Sequence, residues 1–366
     1  MKICHVTSVH PAKDGRIFYK ECCSLSKAGY DVYEIAPNVS DEICNDVKIC
    51  GVTVPVNRWK RFLLGKKAVC RKCLEINADV YHFHDPELMP IGYKLKKKYG
   101  KKIIFDSHED VPAQILTKEW VPKFLRSPLS KLYAFYERSL FKYYDLLISV
   151  TPTLTSRLKI INSSTFQLTN YPILNTNMQV DIREWGDSIC CAGSIAPQRL
   201  QHNMIKALEG VEGITLNLAG RYNDKYMQYL KSLPAWYKVY YAGILSFEDV
   251  IKFTAKSSVG IIINDYYPNA GYKIGSLGVI KLFEFMQIGL PVICTDFTLW
   301  KEIIDKWQCG ICVSPHDIEA IRNAIIYLVQ NKDMAKRMGD NGRRAVMKEY
   351  NWKTQEAILL QAYKNI

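Results

Sequence analysis

The chain has 366 residues, 48% hydrophobic and 23% charged, with a formal net charge of +13. That length exceeds one ordinary core and predicts two domains, and the balance of apolar and charged residues excludes a disordered or fibrous chain. No run of about 18 apolar residues occurs, so no membrane span is expected, and the surplus of cations points to an anionic partner: nucleic acid, acidic lipid or a phosphorylated substrate. Zinc-finger spacing and RNA-binding aromatic signatures are missing from the sequence, so no nucleic acid partner is expected.

In chain order, "KICHVTSV" reads as a first strand rather than a signal peptide, since no small-residue cleavage site follows. "GRIFYKECCSLSKAGY" has helical periodicity and reaches a C-cap at Gly29. "DVYEIAP", "DVYHFH", "KIIFDSH" and "DLLISVT" are further strands, each followed by a turn or helix. The polar "NYPILNTNMQVDIREWGD" reads as a linker. The pattern then restarts with six strand-like runs, "SICCAGS", "TLNLAG", "KVYYAG", "VGIIIN", "PVICTD" and "CGICVS". Helical periodicity marks "PHDIEAIRNAIIYLVQ", "KDMAKRMGDNGRRAVMKEY" and the terminal "NWKTQEAILLQAYKNI". Strand and helix alternation of this kind predicts an α/β fold of two Rossmann-like, doubly wound halves. Such sheets bind ligands beyond the carboxyl ends of their strands, and two halves facing a central cleft would share a site there.

The twelve cysteines, including the adjacent pairs Cys22-Cys23 and Cys190-Cys191, lie inside apolar periodic segments. They read as buried thiols of a reducing compartment rather than a disulfide framework. Cys70 and Cys73 form a lone CxxC without a second pair or a nearby His, which favours packing over a metal site.

The run "VIKLFEFMQIGLPVICTD" places Lys281 and Glu284 inside an apolar helix that follows the Gly-rich "NAGYKIGSLG". A helix N-terminus behind such a loop is an anion site, because free N–H groups and the helix dipole point at it. Glu284 lies too deep in the helix to cap it. It can accept hydrogen bonds from a vicinal diol such as a ribose, or it can be a surface Glu on an amphipathic face.

This run, with "HPAKDGRIFYKECCSLSKAGYDVYEIAP", "YHFHDPELMPIG", "IIFDSHED", "NYP", "AGSIAPQR" and "YYAGILSFEDV", resembles the retaining glycosyltransferases of GT-B fold, the large group 1, family 4 type. The resemblance covers nearly the whole chain. It implies that Glu284 is the second glutamate of the family's paired-glutamate motif, which holds the donor ribose. The first falls at Ser276, so the pair is broken and donor-sugar identity is left open. Leu277, Gly278 and Val279 match the segment whose amides cradle the donor diphosphate, and Lys281 adds a cation. In "AGSIAPQR" the family's Arg position is Ser194 and its Lys position is Arg199, which can grip a diphosphate bidentately. The backbone from Tyr241 to Leu245 matches the segment that holds the nucleobase. Ser246 with Asp249 also reads as an ordinary helix start.

In the first half, the resemblance places His108, just past a strand end, near the reacting carbon of the donor sugar. His84, Asp85 and Glu87 would line the acceptor side, and Asp85 can equally cap a turn. Gly15 in "KDGR" would let the backbone approach phosphate or acceptor. Arg16 would face the acceptor or an internal carboxylate. Residues 118–144 are basic and aromatic: either a helix pair packed on the first domain, or a surface for anionic membrane, as suits a lipid-linked acceptor.

The expected organisation is an acceptor-side domain of residues 1–168 with the crossover helix 351–366, and a donor domain of residues 169–350. The expected reaction moves a sugar from a nucleotide-diphosphate sugar to a hydroxyl acceptor, with retention and with no metal or other cofactor. The setting implied is cell-surface polysaccharide or glycolipid synthesis in the cytoplasm, peripherally at the inner face of the membrane. A sugar-nucleotide epimerase of the same fold and a non-catalytic nucleotide-sugar binding or scaffold protein are the alternatives.

Overall fold

The computed structural model describes residues 1–55, 65–118, 120–174 and 186–366. Most of the linker expected over 170–187, and Glu119 of the basic aromatic stretch, lie outside these residues. The described chain divides into two compact units, Met1–Asn170 with Trp352–Ile366, and Tyr171–Asn351.

The first unit is built on strands β1 (Lys2–Val6), β2 (Asp31–Pro37), β3 (Glu42–Cys44), β4 (Val47–Val52), β5 (Val80–Phe83), β6 (Lys102–Ser107), β7 (Leu146–Ser149) and β8 (Thr165–Gln167). Their order in the sheet is β3-β4-β2-β1-β5-β6-β7-β8. Every pairing is parallel except β3 with β4. Strands β3, β4 and β8 are additions to the strands read from the sequence. The β3–β4 hairpin turns at Asn45 and Asp46, both with positive φ (50° and 58°), the backbone that a two-residue type I′ turn needs. β5 and β7 are buried along their whole length, as parallel strands covered on both faces should be. Apolar layers pack on both sides of the sheet, one around Phe83, Phe105 and Phe141, the other around Phe18, Trp352 and Tyr363. The terminal helix Trp352–Lys364 is part of this second layer, and the Trp352 indole donates to Ser24 Oγ at 2.9 Å.

The second unit carries β9 (Ser188–Ala192), β10 (Thr215–Ala219), β11 (Val239–Tyr241), β12 (Val259–Ile262), β13 (Val292–Thr295) and β14 (Gly310–Val313), the six runs read from the sequence. The order is β11-β10-β9-β12-β13-β14, all parallel. Counted within the unit, that is the Rossmann order, with its switch point between β9 and β12. In the first unit the corresponding switch lies between β1 and β5. All twelve cysteines are free thiols. Cys70 and Cys73 are buried in the first core, as a packing role requires.

Candidate functional site

In the second unit a cavity of about 280 Å³ opens beyond the carboxyl ends of β9, β10 and β11. Its lining includes Gly193, Ser194, Gly220, Arg221, Leu245 and Lys281. Backbone geometry makes this floor. Gly220 (φ +142°) lies so close to Gly193 that a Cβ on it would sit 1.7 Å from the Gly193 carbonyl oxygen. The Tyr241 hydroxyl donates to the Gly220 carbonyl at 2.8 Å, tying the segment after β11 to the same turn. Ser246 accepts from the Asp249 amide and starts the helix Phe247–Ala255, so this pair has the ordinary capping role.

Lys281 enters the cavity from the first turn of the helix Ile280–Gln287, whose N-cap, Val279, provides no side-chain acceptor for the first-turn amides. The amides of that turn and the Lys281 ammonium therefore offer positive charge at one place. Lys281 Nζ lies 2.5 Å from Glu284 Oε2 one turn on, so the two charges inside this apolar run are partners. Leu277, Gly278 and Val279 form the loop just before. Ser276 is buried within that loop: its hydroxyl accepts from the Gly278 amide at 3.0 Å, and its carbonyl accepts from the Trp300 indole at 2.9 Å. Ser276 thus holds the loop's shape. Arg199 is half-buried and does not line the cavity; its Nη1 donates to Asn264 Oδ1 at 3.0 Å, just past β12 and hence at the switch point. The cavity's other cation, Arg221, is absent from the residues singled out in the sequence. Its signal was the Gly220-Arg221 step directly after an apolar strand.

The first unit gathers polar side chains at its own switch point. Asp85 Oδ2 accepts from Thr7 Oγ1 (2.8 Å) and from the amides of Ser8 (2.6 Å) and Val9 (3.2 Å), so this carboxylate caps the turn after β1. Ser8 Oγ donates to Glu87 Oε1 at 2.8 Å. His108 keeps partial exposure, and its Nε2 lies 3.1 Å from Asp106 Oδ2 and 3.3 Å from His84 Nδ1. Its Nδ1 is therefore the atom left for a reacting group. Of the two partners expected for Arg16, the structure shows the internal carboxylate. The side chain is buried, with Nε and Nη2 each 2.8 Å from Asp106 Oδ2, Nε 3.0 Å from Glu21 Oε1, and Nη1 donating to the Leu168 carbonyl. A Cβ on the neighbouring Gly15 would meet nothing within 4 Å.

Burial governs the titration of this cluster. It opposes charge on Asp106, yet the Arg16 guanidinium and His108 outweigh it and hold the carboxyl well below its ordinary value. Burial lifts Glu21 well above its ordinary value, against the pull of Arg16. It lowers His5 to about 3, and His82 and His84 well below the usual imidazole range, so these three rings are uncharged at neutral pH.

Residues 178–345 match the family model described as "Glycosyl transferases group 1", and residues 15–160 match that of "Glycosyltransferase Family 4". The chain belongs to this glycosyltransferase family. It is 26% identical over 186 residues to an uncharacterised glycosyltransferase of Methanocaldococcus jannaschii, covering 49% of this chain and 44% of that one. It is 23% identical over 192 residues to a GDP-mannose-dependent phosphatidylinositol monomannoside mannosyltransferase of Mycobacterium tuberculosis, covering 47% and 46%. The chain thus spans less than half the length of each of these curated relatives. Among solved structures, Anabaena HepE in complex with UDP and glucose superposes with a TM-score of 0.74 at 12% identity, over 100% of both chains. That likeness is one of fold: two Rossmann-like parallel sheets, the GT-B class.

In the second unit Lys281, Ser194 and Leu245 line one cavity, with Glu284 on Lys281, and in the first unit His84, Asp85, Glu87 and His108 gather at the switch point. The groups the sequence did not single out are His5, Glu21, His82 and Asp106, all buried. Asp106 left a trace, as a carboxylate within the apolar strand "IIFDS".

Proposed function

We propose that the chain transfers a sugar from a nucleotide-diphosphate sugar to a hydroxyl acceptor with retention of configuration. The observation that carries this reading is the cavity of about 280 Å³ at the carboxyl ends of β9–β11, lined by Arg221 and by Lys281 from the first turn of an uncapped helix. In this reading the first-turn amides and the cations take the donor diphosphate and stabilise the charge that grows on it as the glycosidic bond breaks. Ser194 approaches it from the β9 side, and Arg199 from the end of β12, where it holds Asn264. Glu284 holds the ribose with the oxygen that Lys281 leaves free, and the backbone from Tyr241 to Leu245 holds the base. Charge on the leaving group is met by these residues, with no metal required. The departing phosphate takes the acceptor proton, and His108, oriented by Asp106, meets the donor sugar through Nδ1. The acceptor, a sugar or lipid-linked sugar, lies beside Gly15, His84, Asp85 and Glu87.

The helix Lys123–Phe141 supports an acceptor at a membrane, in keeping with the glycolipid mannosyltransferase among the relatives. It buries Ser130, Glu137 and Phe141 and leaves other apolar groups outward: Phe124 is 79% exposed, Phe135 72% and Leu132 64%. Lys123, Arg126, Lys131 and Arg138 share the helix, so apolar wedge and cations match an anionic lipid surface. No helix of the described residues is long and apolar enough to cross a membrane. The proposed setting is the inner face of a cell membrane, in glycolipid or cell-surface polysaccharide synthesis.

A second reading, nucleotide-sugar binding without turnover, is favoured by Ser276, whose buried structural role replaces a family carboxylate. A thermal-shift series with UDP, GDP, ADP and CMP, with and without magnesium, followed by product analysis with the stabilising base's sugar nucleotides, tests both. Stabilisation by one diphosphate independent of magnesium, with transfer, supports the enzyme. Stabilisation without any transfer or hydrolysis supports the binder, and no stabilisation by any of them overturns both.

A further inference from the structure

The parallel register of the first sheet assembles an unusual set of donors. His5 of β1 pairs with His82 of β5, and His84 lies two residues on, just past the end of β5. Residues two apart on a strand share a face, so three imidazoles stand side by side at the switch point. Their ring centroids are 4.5 Å (His5–His82), 4.5 Å (His82–His84) and 5.2 Å (His5–His84) apart. Glu21, from the helical segment Ile17–Cys22, is brought against this face. All four side chains are buried.

We infer that His5, His82, His84 and Glu21 form a binding site for a divalent transition-metal ion, zinc by its donor chemistry. One donor atom from each residue lies within 4.8 Å of all the others. Measured separations are 3.0 Å from His5 Nδ1 to His84 Nε2, 3.8 Å from His5 Nδ1 to Glu21 Oε2, and 3.9 Å from His82 Nδ1 to Glu21 Oε2. A tetrahedral zinc ion with bonds of about 2.0–2.1 Å sets its ligands ~3.4 Å apart, in the middle of that range.

Glu21 Oε2 lacks a hydrogen bond despite complete burial, as does His82 Nε2, the ring nitrogen opposite the Nδ1 that faces Glu21; that Nδ1 also lies 2.8 Å from the Tyr363 hydroxyl. An orphaned buried acceptor is costly and calls for a partner. Ring nitrogens on the far side are also held. His5 Nε2 lies 3.3 Å from the Tyr363 hydroxyl, and His84 Nδ1 lies 3.3 Å from His108 Nε2 and 3.8 Å from Asp106 Oδ2. Metal-bound histidines are oriented through their second nitrogen in this way. Glu21 and Asp106 share one buried guanidinium, Arg16, so a cation beside Glu21 would favour its ionised form. Nitrogen-rich, carboxylate-poor donor sets select zinc and its neighbours over magnesium.

The ion would be structural. It would tie Glu21, five residues past Arg16, to the strand ends that carry Asp85 and His108. It lies in the first unit and the diphosphate cavity in the second, so the proposed stabilisation of the leaving diphosphate does not run through it.

The experiment is to express the full chain in zinc-supplemented medium, purify it without chelator, count metals by mass spectrometry and record the zinc X-ray absorption spectrum. About one zinc per chain, with a nitrogen and oxygen shell, is expected. No bound zinc overturns the inference, and so does a sulfur shell, which would place the ion on cysteines. His82→Ala should lose the zinc while Cys70→Ser keeps it; retention by His82→Ala overturns the site. Should His82→Ala fail to fold, Glu21→Gln is the second variant, with zinc retention weakened at least tenfold in competition with a chelator, and the wild-type absorption shell still decides.

Discussion

Arg16 and Asp106, ninety residues apart in sequence, are locked together inside the first unit, with Nε and Nη2 each 2.8 Å from Asp106 Oδ2. The same guanidinium reaches Glu21 and the Leu168 carbonyl, so one side chain joins the loop after β1, the end of β6 and the segment after β8. Removing one partner of a buried ion pair leaves the other charge in a dry interior. Arg16→Ala should therefore cost about 3–5 kcal/mol of unfolding free energy. Urea unfolding checks this, and an unchanged midpoint would show the pair to be solvated.

Glu34 titrates in a range that can be measured. It lies buried in β2, and burial lifts its carboxyl to about 7, against a bond from the Lys13 backbone. A carboxyl raised on folding keeps its proton in the folded chain while the unfolded chain loses it. Its stabilisation is thus complete below the unfolded value near 4.3 and is lost as pH rises through about 7. The loss amounts to ~3 kcal/mol. Glu34→Gln should flatten that part of the stability profile between pH 5 and 8 and be more stable than wild type at pH 8. A profile identical to wild type would remove Glu34 from the account.

Lys281 and Glu284 form a couple whose roles separate by mutation. Lys281→Ala should lower turnover by about 10²-fold, the typical cost of one group aimed at developing negative charge. Glu284→Ala should weaken nucleotide affinity instead. Isothermal titration with the preferred nucleoside diphosphate, beside steady-state kinetics, distinguishes the two. Equal losses in both variants would mean that Glu284 acts only by holding Lys281.

Gly220 allows two turns to cross under the cavity. Its φ of +142° and the 1.7 Å approach of a Cβ to the Gly193 carbonyl leave no side chain room. Gly220→Ala should destabilise the second unit and abolish nucleotide-induced stabilisation, read by thermal shift. Wild-type behaviour would mean that the turn can open without cost to the site.

For the outward face of Lys123–Phe141, replacing Phe124 and Phe135 with Ser should reduce binding to anionic vesicles without lowering the melting temperature, since both side chains are exposed. Replacing Lys123, Arg126 and Lys131 with Ser should reduce binding chiefly at low salt. Vesicle co-sedimentation measures both. Undiminished binding by the two variants would move the contact elsewhere.

Local patterns carried much of this protein. The alternation of apolar strands and amphipathic helices, the six strands of the second unit, the Gly29 turn, the Ser246 cap and the Gly-rich approach to Ile280–Gln287 all depend on neighbours within a few residues, and each could be read from the chain. The β3–β4 hairpin was readable in principle from Asn45-Asp46, but its outer strand has no apolar periodicity to announce it. Other features need residues that only folding brings together. Nothing near Arg16 in sequence names Asp106 or Leu168 as its partners. The three histidines become one cluster only because β1 and β5 pair in a given register, and Tyr363 closes over them from the far end of the chain. The sense of the helix Lys123–Phe141 is likewise tertiary. Its periodicity tells of two faces, but Arg157, bonding Glu137 from the next helix, draws that carboxylate inward beside Phe141, and Phe124 and Phe135 are left to the outside. Periodicity is a property of adjacent residues, whereas burial of a charge is decided by whichever distant partner neutralises it.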